Sequence, residues 1–380
     1  MEDTVHAPPH AGCPISATSE PFLVPQGARW DCRGCGKCCH HHVLGPVEPE
    51  VVQAIEAHGV EKLWPDRAGR PWAKHLPGPG PEGWYLEKID GHCVFLDDDK
   101  MCTVHAQMGP AEKPAFCREY PFTVVREPRG LAIIVRESCG GFHEASVDGQ
   151  PLEDHAAEVA ALPRAYPVQE FGGQPVALQP GLGVTAEDWL YLEDAVKKDI
   201  LDNDRQPAAH IAAVRARMLA AVRRDDPTPD RLKALRATGA MLQVYRMVLD
   251  KAVAEPSADA AEVAFAKKLR GHVFRAMSAL PRGVPPLDRS ARDYVSLLLR
   301  SHLLGKRFLP HGSVAAGLGL FLHNIHTAAL AARVNAKGEV DVNALCAVLT
   351  DHVRLTLNRS IREVQKKARP ALLDLYMSVG

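Results

Sequence analysis

Apolar positions along the chain follow two different spacings, and the change falls near residue 150. From Glu187 onward they recur every three to four residues, which gives a helix one buried face. Helices are therefore predicted at Glu187–Leu201, Ala208–Arg223, Arg231–Ala254, Asp259–Ala279, Leu287–Leu304, Val314–Val334, Val342–Leu357 and Arg362–Met377. Pro207, Pro227, Pro256, Pro281, Pro285, Pro310 and Gly338 fall between these runs as breakers. Thr185, with Asp188 three residues on, makes a capping-box-like start for the first run.

Before residue 150 the regular stretches are short. Glu48 to Trp64 has helical spacing through Val51, Val52, Ile55 and Leu63. Trp84 to Ile89 alternates as a strand, with Trp84 and Tyr85 expected in its core. Phe122–Arg126 and Leu131–Arg136 flank Glu127-Pro-Arg-Gly130 and predict a β-hairpin. The Pro- and Gly-rich stretch from Pro71 through Pro77, Pro79 and Pro81 to Gly83 excludes regular structure. Residues 1–28 carry Pro8, Pro9, Pro14, Pro21 and Pro25 and read as an irregular arm. The expected class is α+β: a small loop-rich cysteine-cluster domain with short strands at 29–150, then a mainly α-helical domain at 151–380. The first has a thin core, which a metal site would staple.

Composition narrows the partners. At 46% hydrophobic, 24% charged and a formal net charge of −1, the 380-residue chain reads as an ordinary soluble protein. It offers no global charge for nucleic acid or an anionic membrane, so neither partner is expected. The acidic start Met-Glu-Asp-Thr-Val-His lacks the apolar stretch of a secretory signal, which points to the reducing cytoplasm. The apolar run Ala315–Val334 is interrupted by His323, Asn324 and His326 and is expected as a buried bundle helix with a polar cluster bonding across helices. Gly317 and Gly319 within it are expected to allow a close helix–helix contact.

Chemistry enters with the cysteines. Cys32, Cys35, Cys38 and Cys39 fall within eight residues, and Cys93, Cys102, Cys117 and Cys139 follow; of the 10 cysteines only Cys13 and Cys346 stand apart. Thiolates suit zinc, copper(I) and iron–sulfur clusters. In a Cys-x-x-Cys turn the two intervening residues bend the chain around an ion, and Gly34 and Gly36 permit close approach and positive φ. Four ligands complete a tetrahedral zinc or an iron–sulfur cluster, so eight cysteines fill one site with spares or two sites. Their spread over several loops favours a [4Fe–4S] cluster over zinc. Neighbouring Cys38 and Cys39 are expected to diverge. His40, His41, His42, His92 and His105 lie close by and read individually as surface or hydrogen-bonded side chains.

Cys32-x2-Cys35-Gly-x-Cys38-Cys39, Cys93-Val-Phe-Leu and Cys102 through Lys113-Pro-Ala-Phe-Cys117-Arg-Glu-Tyr-Pro-Phe122 resemble the bacterial CxxCxxCC cysteine-cluster family. Cys139, in Glu-Ser-Cys-Gly-Gly, resembles the later cysteine of that family, with Gly140 where a Pro is common. The resemblance implies zinc or iron chelation. In the flagellin lysine-N-methylase-like branch it further implies methyl transfer from S-adenosylmethionine to lysine of a protein substrate. Arg118 and Tyr120, just after Cys117, are then the candidates for holding that cofactor. Arg118 also suits a charge-offsetting role or an ion pair with Asp97–Asp99. No strand–Gly-rich-turn–helix unit, compact Cys-x3-Cys-x2-Cys run or P-loop is present, so the usual cofactor and phosphate cradles are excluded. The alternative to an enzyme is a non-catalytic zinc- or iron-binding redox or interaction module.

Overall fold

A computed structural model describes residues 20–379, apart from 41–43, 68, 77–81, 165–166, 203, 256–259, 357–362 and 364. The arm up to residue 19, the centre of the Pro/Gly stretch, His41, His42 and the expected helix edges at Asp259, Leu357 and Arg362 lie outside the described residues.

The architecture is α+β. The N-terminal part contains β1 (Phe22–Leu23), β2 (Arg29–Trp30), α1 (Pro49–His58), α2 (Val60–Leu63), β3 (Ala73–Leu76) and β4 (Gly83–Leu86). Next come β5 (Lys88–Ile89), β6 (His92–Cys93), α3 (Thr103–Met108) and α4 (Ala115–Glu119). The longest strands, β7 (Phe122–Glu127) and β8 (Gly130–Val135), precede α5 (Phe142–Asp148), β9 (Gln150–Pro151), α6 (Leu152–Ala161) and β10 (Gln169–Glu170). A small hairpin, β11 (Val176–Gln179) and β12 (Leu182–Val184), leads into the helices. These are α7 (Ala186–Leu201), α8 (Pro207–Ala221), α9 (Arg231–Ala254), α10 (Ala260–Ala279), α11 (Arg289–Leu304), α12 (Val314–Ala331), α13 (Val342–Thr356) and α14 (Arg369–Ser378). The Asp188 N–H donates to Thr185 Oγ1 at 3.0 Å, so the expected cap starts α7.

The hairpin of β7 and β8 pairs from Phe122↔Val135 to Glu127↔Gly130, as the two apolar runs predict. β1 lies parallel on β8 and β10 parallel on β7. Successive side chains of a strand face opposite ways. In β8, Leu131, Ile133 and Val135 join the main helical core, while Ala132 and Ile134 pack with Leu304. A separate core gathers Val51, Ile55, Leu63, Trp72, Leu86, Cys93, Phe95 and Val104, with Cys39 and Cys102 at its edge. Cys139 packs against the main core instead. The cysteines therefore lie along the seam between two apolar bodies.

Two expectations are corrected: the Pro/Gly stretch holds a strand, β3, paired with β4, because Pro71 and Pro77 flank Ala73–Leu76 and do not enter it, and Trp84 lies outside the core. Trp84 is 40% exposed while Tyr85 is 6% exposed, because the period-2 alternation buries only one of two neighbours. Trp84 instead edges onto His75 of β3, its cross-strand partner, at 5.5 Å between ring centroids.

All 18 residues of α12 are buried. Its Gly317 leaves room for Phe308, since an added Cβ would meet the Phe308 Cβ at 2.5 Å, and Gly319 lies against the backbone of Leu372. The close helix–helix contact expected of these glycines is present at Gly319, against α14, while Gly317 admits the turn at Phe308. His323 on the same helix packs its ring at 5.3 Å from Tyr245 and 5.9 Å from His352. Its 3.4 Å polar contact, however, is with Thr327 one turn on, within the helix.

A buried ionic knot fastens the hairpin to the helices. Lys306 Nζ bonds Glu127 at the end of β7 and reaches Glu193 of α7 at 2.8 Å, with all three side chains fully buried. Arg129 and Lys197 also reach Glu193, each at 2.9 Å. Tyr120 and Cys139 sit at the opposite end of the same hairpin, so they hang from an anchored platform.

Candidate metal centre

The first cysteine run folds as an open loop that closes into a 3-10 turn over Lys37–Cys39. Gly36 enters that turn at φ 65°, left-handed backbone that favours glycine. An added Cβ there would stand 3.0 Å from the Lys100 Cβ, so the loop rests directly on the turn preceding Cys102. On its other side, Gly140 packs against the Lys37 side chain and Gly141 against Arg33, where an added Cβ would come within 2.9 Å. Gly140 replaces the more usual Pro of the resemblance at a point where the Cys139 segment lies flush on the first run.

These contacts bring most of the predicted thiols together. The Sγ atoms of Cys38 and Cys39 are 3.8 Å apart. The expected divergence of this pair is thus corrected: the tight turn swings both side chains to one side. In a tetrahedral zinc site with bonds of about 2.3 Å, neighbouring sulfurs stand about 3.8 Å apart. Charge on Cys93 and Cys117 acts on Cys39, and charge on Cys93, Cys102 and Cys38 acts on Cys117. Cys139 feels Cys35 and Cys38. Cys38 is therefore common to a larger group with Cys39, Cys93, Cys102 and Cys117, and a smaller one with Cys35 and Cys139. Cys32 lies at the exposed end of the loop. Among the described residues all nine cysteines are free, and no three His, Cys, Asp or Glu side chains are already closed in a metal-holding geometry.

Crowding and burial dominate the proton affinities. The hydrogen bond between Cys38 and Cys39 holds the first thiol below the ordinary range and the second above it. Burial pushes Cys93 up to about 12, against a Phe95 N–H that reaches its sulfur at 3.5 Å. Burial, then the charge of Cys93, raises Cys117 well above the usual value. Burial raises Cys139 to about 11, opposed by the Gly141 backbone and the Trp30 side chain. The Trp30 indole Nε1 is buried with no partner in regular hydrogen-bond geometry, and the Cys139 thiol is the group that feels it. The donor set fits a metal: soft thiols converge from separate segments, with Cys93, Cys117 and Cys139 held protonated until an ion displaces their protons and Cys38 the readiest to ionise.

Two cations face this set, and neither stood out in the sequence. Lys113 lowers the proton affinity of Cys38, Cys93 and Cys117. Its backbone N–H closes the turn at Pro110, bonding Pro110 O at 3.3 Å, which leaves its side-chain charge free to act on the thiols. Arg354, from α13, acts on Cys38 and Tyr120.

The two candidates for cofactor binding are engaged otherwise. Arg118 Nη2 stands 3.7 Å from Glu48 Oε1, and that carboxylate also accepts the Ala115 N–H at 2.8 Å. The anionic partner of Arg118 is Glu48, in place of the expected Asp97–Asp99 turn, where Asp97 instead accepts the Met101 N–H. The Tyr120 hydroxyl lies 3.5 Å from Ser138 Oγ, and burial followed by the charge of Cys139 raises its proton affinity. His40 and His92 face each other across an antiparallel bridge with ring centroids 5.4 Å apart, while His105 is exposed.

Residues 31–140 match the family model CxxCxxCC, described as "Putative zinc- or iron-chelating domain". No curated protein and no solved structure matches the chain.

Proposed function

We propose that this chain binds a thiolate-coordinated zinc or iron on ligands drawn from Cys38, Cys39, Cys93, Cys102 and Cys117, with Cys35 and Cys139 beside them. The observation that carries the reading is the 3.8 Å approach of two thiols in the middle of a crowd of others. Two sulfurs at that spacing suit one tetrahedral zinc, one iron, or one iron of a two-iron cluster. A four-iron cluster takes a single cysteine at each iron, so it is less well matched. When bound, the ion would tie together the separate segments that carry Cys38 and Cys39, Cys93, Cys102 and Cys117, which makes its binding energy part of the folding energy. A reducing cytoplasm suits the nine cysteines of the described residues, all of them free.

Protein purified without air, analysed for zinc and iron and examined for visible absorption, tests the reading. Stoichiometric metal that falls at least several-fold in Cys38→Ser and in Cys93→Ser is expected. Metal-free protein from every preparation, or variants that keep a full complement, overturns the assignment.

Methyl transfer from S-adenosylmethionine to lysine of a protein substrate is a finer reading with weaker support. It would place the cofactor at Arg118 and Tyr120, and these side chains are engaged by Glu48 and Ser138. Titrating metal-loaded protein with S-adenosylmethionine decides it: no heat and no spectral change ends that extension.

A further inference from the structure

Arg354 belongs to α13, yet its guanidinium lies under the cysteine loops. Its Nη2 donates to the Lys37 carbonyl at 2.9 Å and to the Ser138 carbonyl at 3.3 Å. Lys37 immediately precedes Cys38, and Ser138 immediately precedes Cys139. One nitrogen thus ties together the two segments whose thiols meet at Cys38.

The residue is 7% exposed, and its Nε is buried without a hydrogen-bond partner. Among the described residues it makes no ion pair with a carboxylate. A guanidinium taken out of water without a counter-anion is costly, and removal of one partner from a buried charge pair is felt strongly. The acidic groups its charge is felt by are the Cys38 thiol and the Tyr120 phenol, and burial keeps the phenol protonated. A metal held by several thiolates carries net negative charge, and bound ions are often the largest local charges in a site.

We infer that Arg354 is the positioning residue and counter-charge of the metal centre, so that the helical half of the chain completes a site whose ligands all lie in the N-terminal part. This rests on the thiolate-metal reading above. The geometry divides the role in two. The two bonds from Nη2 fix the spacing of the Cys38 and Cys139 loops, and the charge offsets thiolates that form when the ion binds. A lysine in its place keeps the charge but not the rigid planar guanidinium that holds Nη2 between the two carbonyls. A methionine keeps neither and leaves the apo protein without an unpaired buried cation.

The test uses the full chain as wild type, Arg354→Met and Arg354→Lys. Metal content, the rate of metal transfer to a chromophoric chelator, and the melting of metal-free and metal-loaded protein are measured on each. Arg354→Met is expected to release metal at least tenfold faster, while its metal-free form melts within a few degrees of wild type. Arg354→Lys is expected to recover part of the retention. Wild-type retention in Arg354→Met overturns the inference. So does a metal-free Arg354→Met protein destabilised as much as the loaded one, which makes the arginine a structural clamp alone. If the methionine variant does not fold, the lysine variant decides: release about threefold faster upholds the positioning role, and an unchanged rate overturns it. A wild-type protein that takes up no metal refutes the metal reading itself, before any variant is compared.

Discussion

Replacing Lys306 by methionine removes the cation from a site with no access to water. The Lys306, Glu127 and Glu193 side chains are each 0% exposed, and Nζ also donates to the Leu304 carbonyl at 3.1 Å and lies 4.9 Å over the Phe171 ring. Lys306 adopts φ 50°, a left-handed conformation that costs a non-glycine residue about 1 kcal/mol or more. The methionine variant keeps both buried carboxylates and leaves them to Arg129 and Lys197, which are 27% and 20% exposed at the rim. Breaking a buried pair in this way costs about 3–5 kcal/mol, a large part of the roughly 5–15 kcal/mol that holds a domain together. The cost depends on pH. Burial pushes the Glu193 carboxyl up, and Lys306 and Lys197 more than offset it, leaving the group below its usual range. In wild type its stabilisation is therefore present above the ordinary carboxylate range and lost as pH falls through the depressed value. Without Lys306 that value rises, so the deficit is largest at neutral pH and narrows as protonation relieves the buried charge. Urea unfolding at pH 7 and pH 5, with and without Glu127→Gln and Glu193→Gln, measures this. A Lys306→Met deficit under about 1 kcal/mol at pH 7, or one that the glutamine substitutions do not reduce, refutes the reasoning.

Other consequences follow from the same geometry. Burial lowers the His302 and His352 imidazoles to about 3 and His326 to about 4, below an ordinary value of 6.5. The unfolded chain binds those protons first, so stability present above pH 6.5 falls with acidification, by roughly 4 kcal/mol per pH unit for the three together. Urea midpoints that stay flat from pH 7.5 to 5 contradict this. Gly319→Ala drives a methyl into the Leu372 carbonyl and is expected to cost about 1–3 kcal/mol in thermal unfolding, and an unchanged melt rules out so close an approach. Gly140→Ala displaces the Lys37 side chain next to Cys38 and is expected to speed metal transfer to a chelator severalfold with little change in melting; a wild-type rate argues against the flush packing of these loops.

The helices were legible because each needs only local information. Arg231–Ala254 is bounded as its apolar spacing implies, and α7 starts at the Thr185 cap. The β7–β8 hairpin was legible for the same reason, with two apolar runs separated by Glu-Pro-Arg-Gly. Trp84 was misjudged because alternation tells which residues share a face but not which face is covered. Cys38 and Cys39 were expected to diverge as in extended chain, and the turn entered through Gly36 reverses that. Glu48 carried no visible link to Arg118, because their meeting depends on how α1 packs beside α4.

The counter-charges were beyond reading for a physical reason. A ligand must bend the chain around an ion, so ligands recur at short spacings and leave a pattern such as Cys32 to Cys39. A counter-charge acts through distance alone, and nothing ties it to neighbouring sequence. Lys113 reaches the thiols from the loop before Cys117, while Arg354 does so from 216 residues beyond Ser138. A residue of the second kind is set by the fold, not by the motif. Chains that share the cysteine pattern can therefore differ in how firmly they hold an ion and in which ion they prefer, according to what their remaining residues bring to the back of the site.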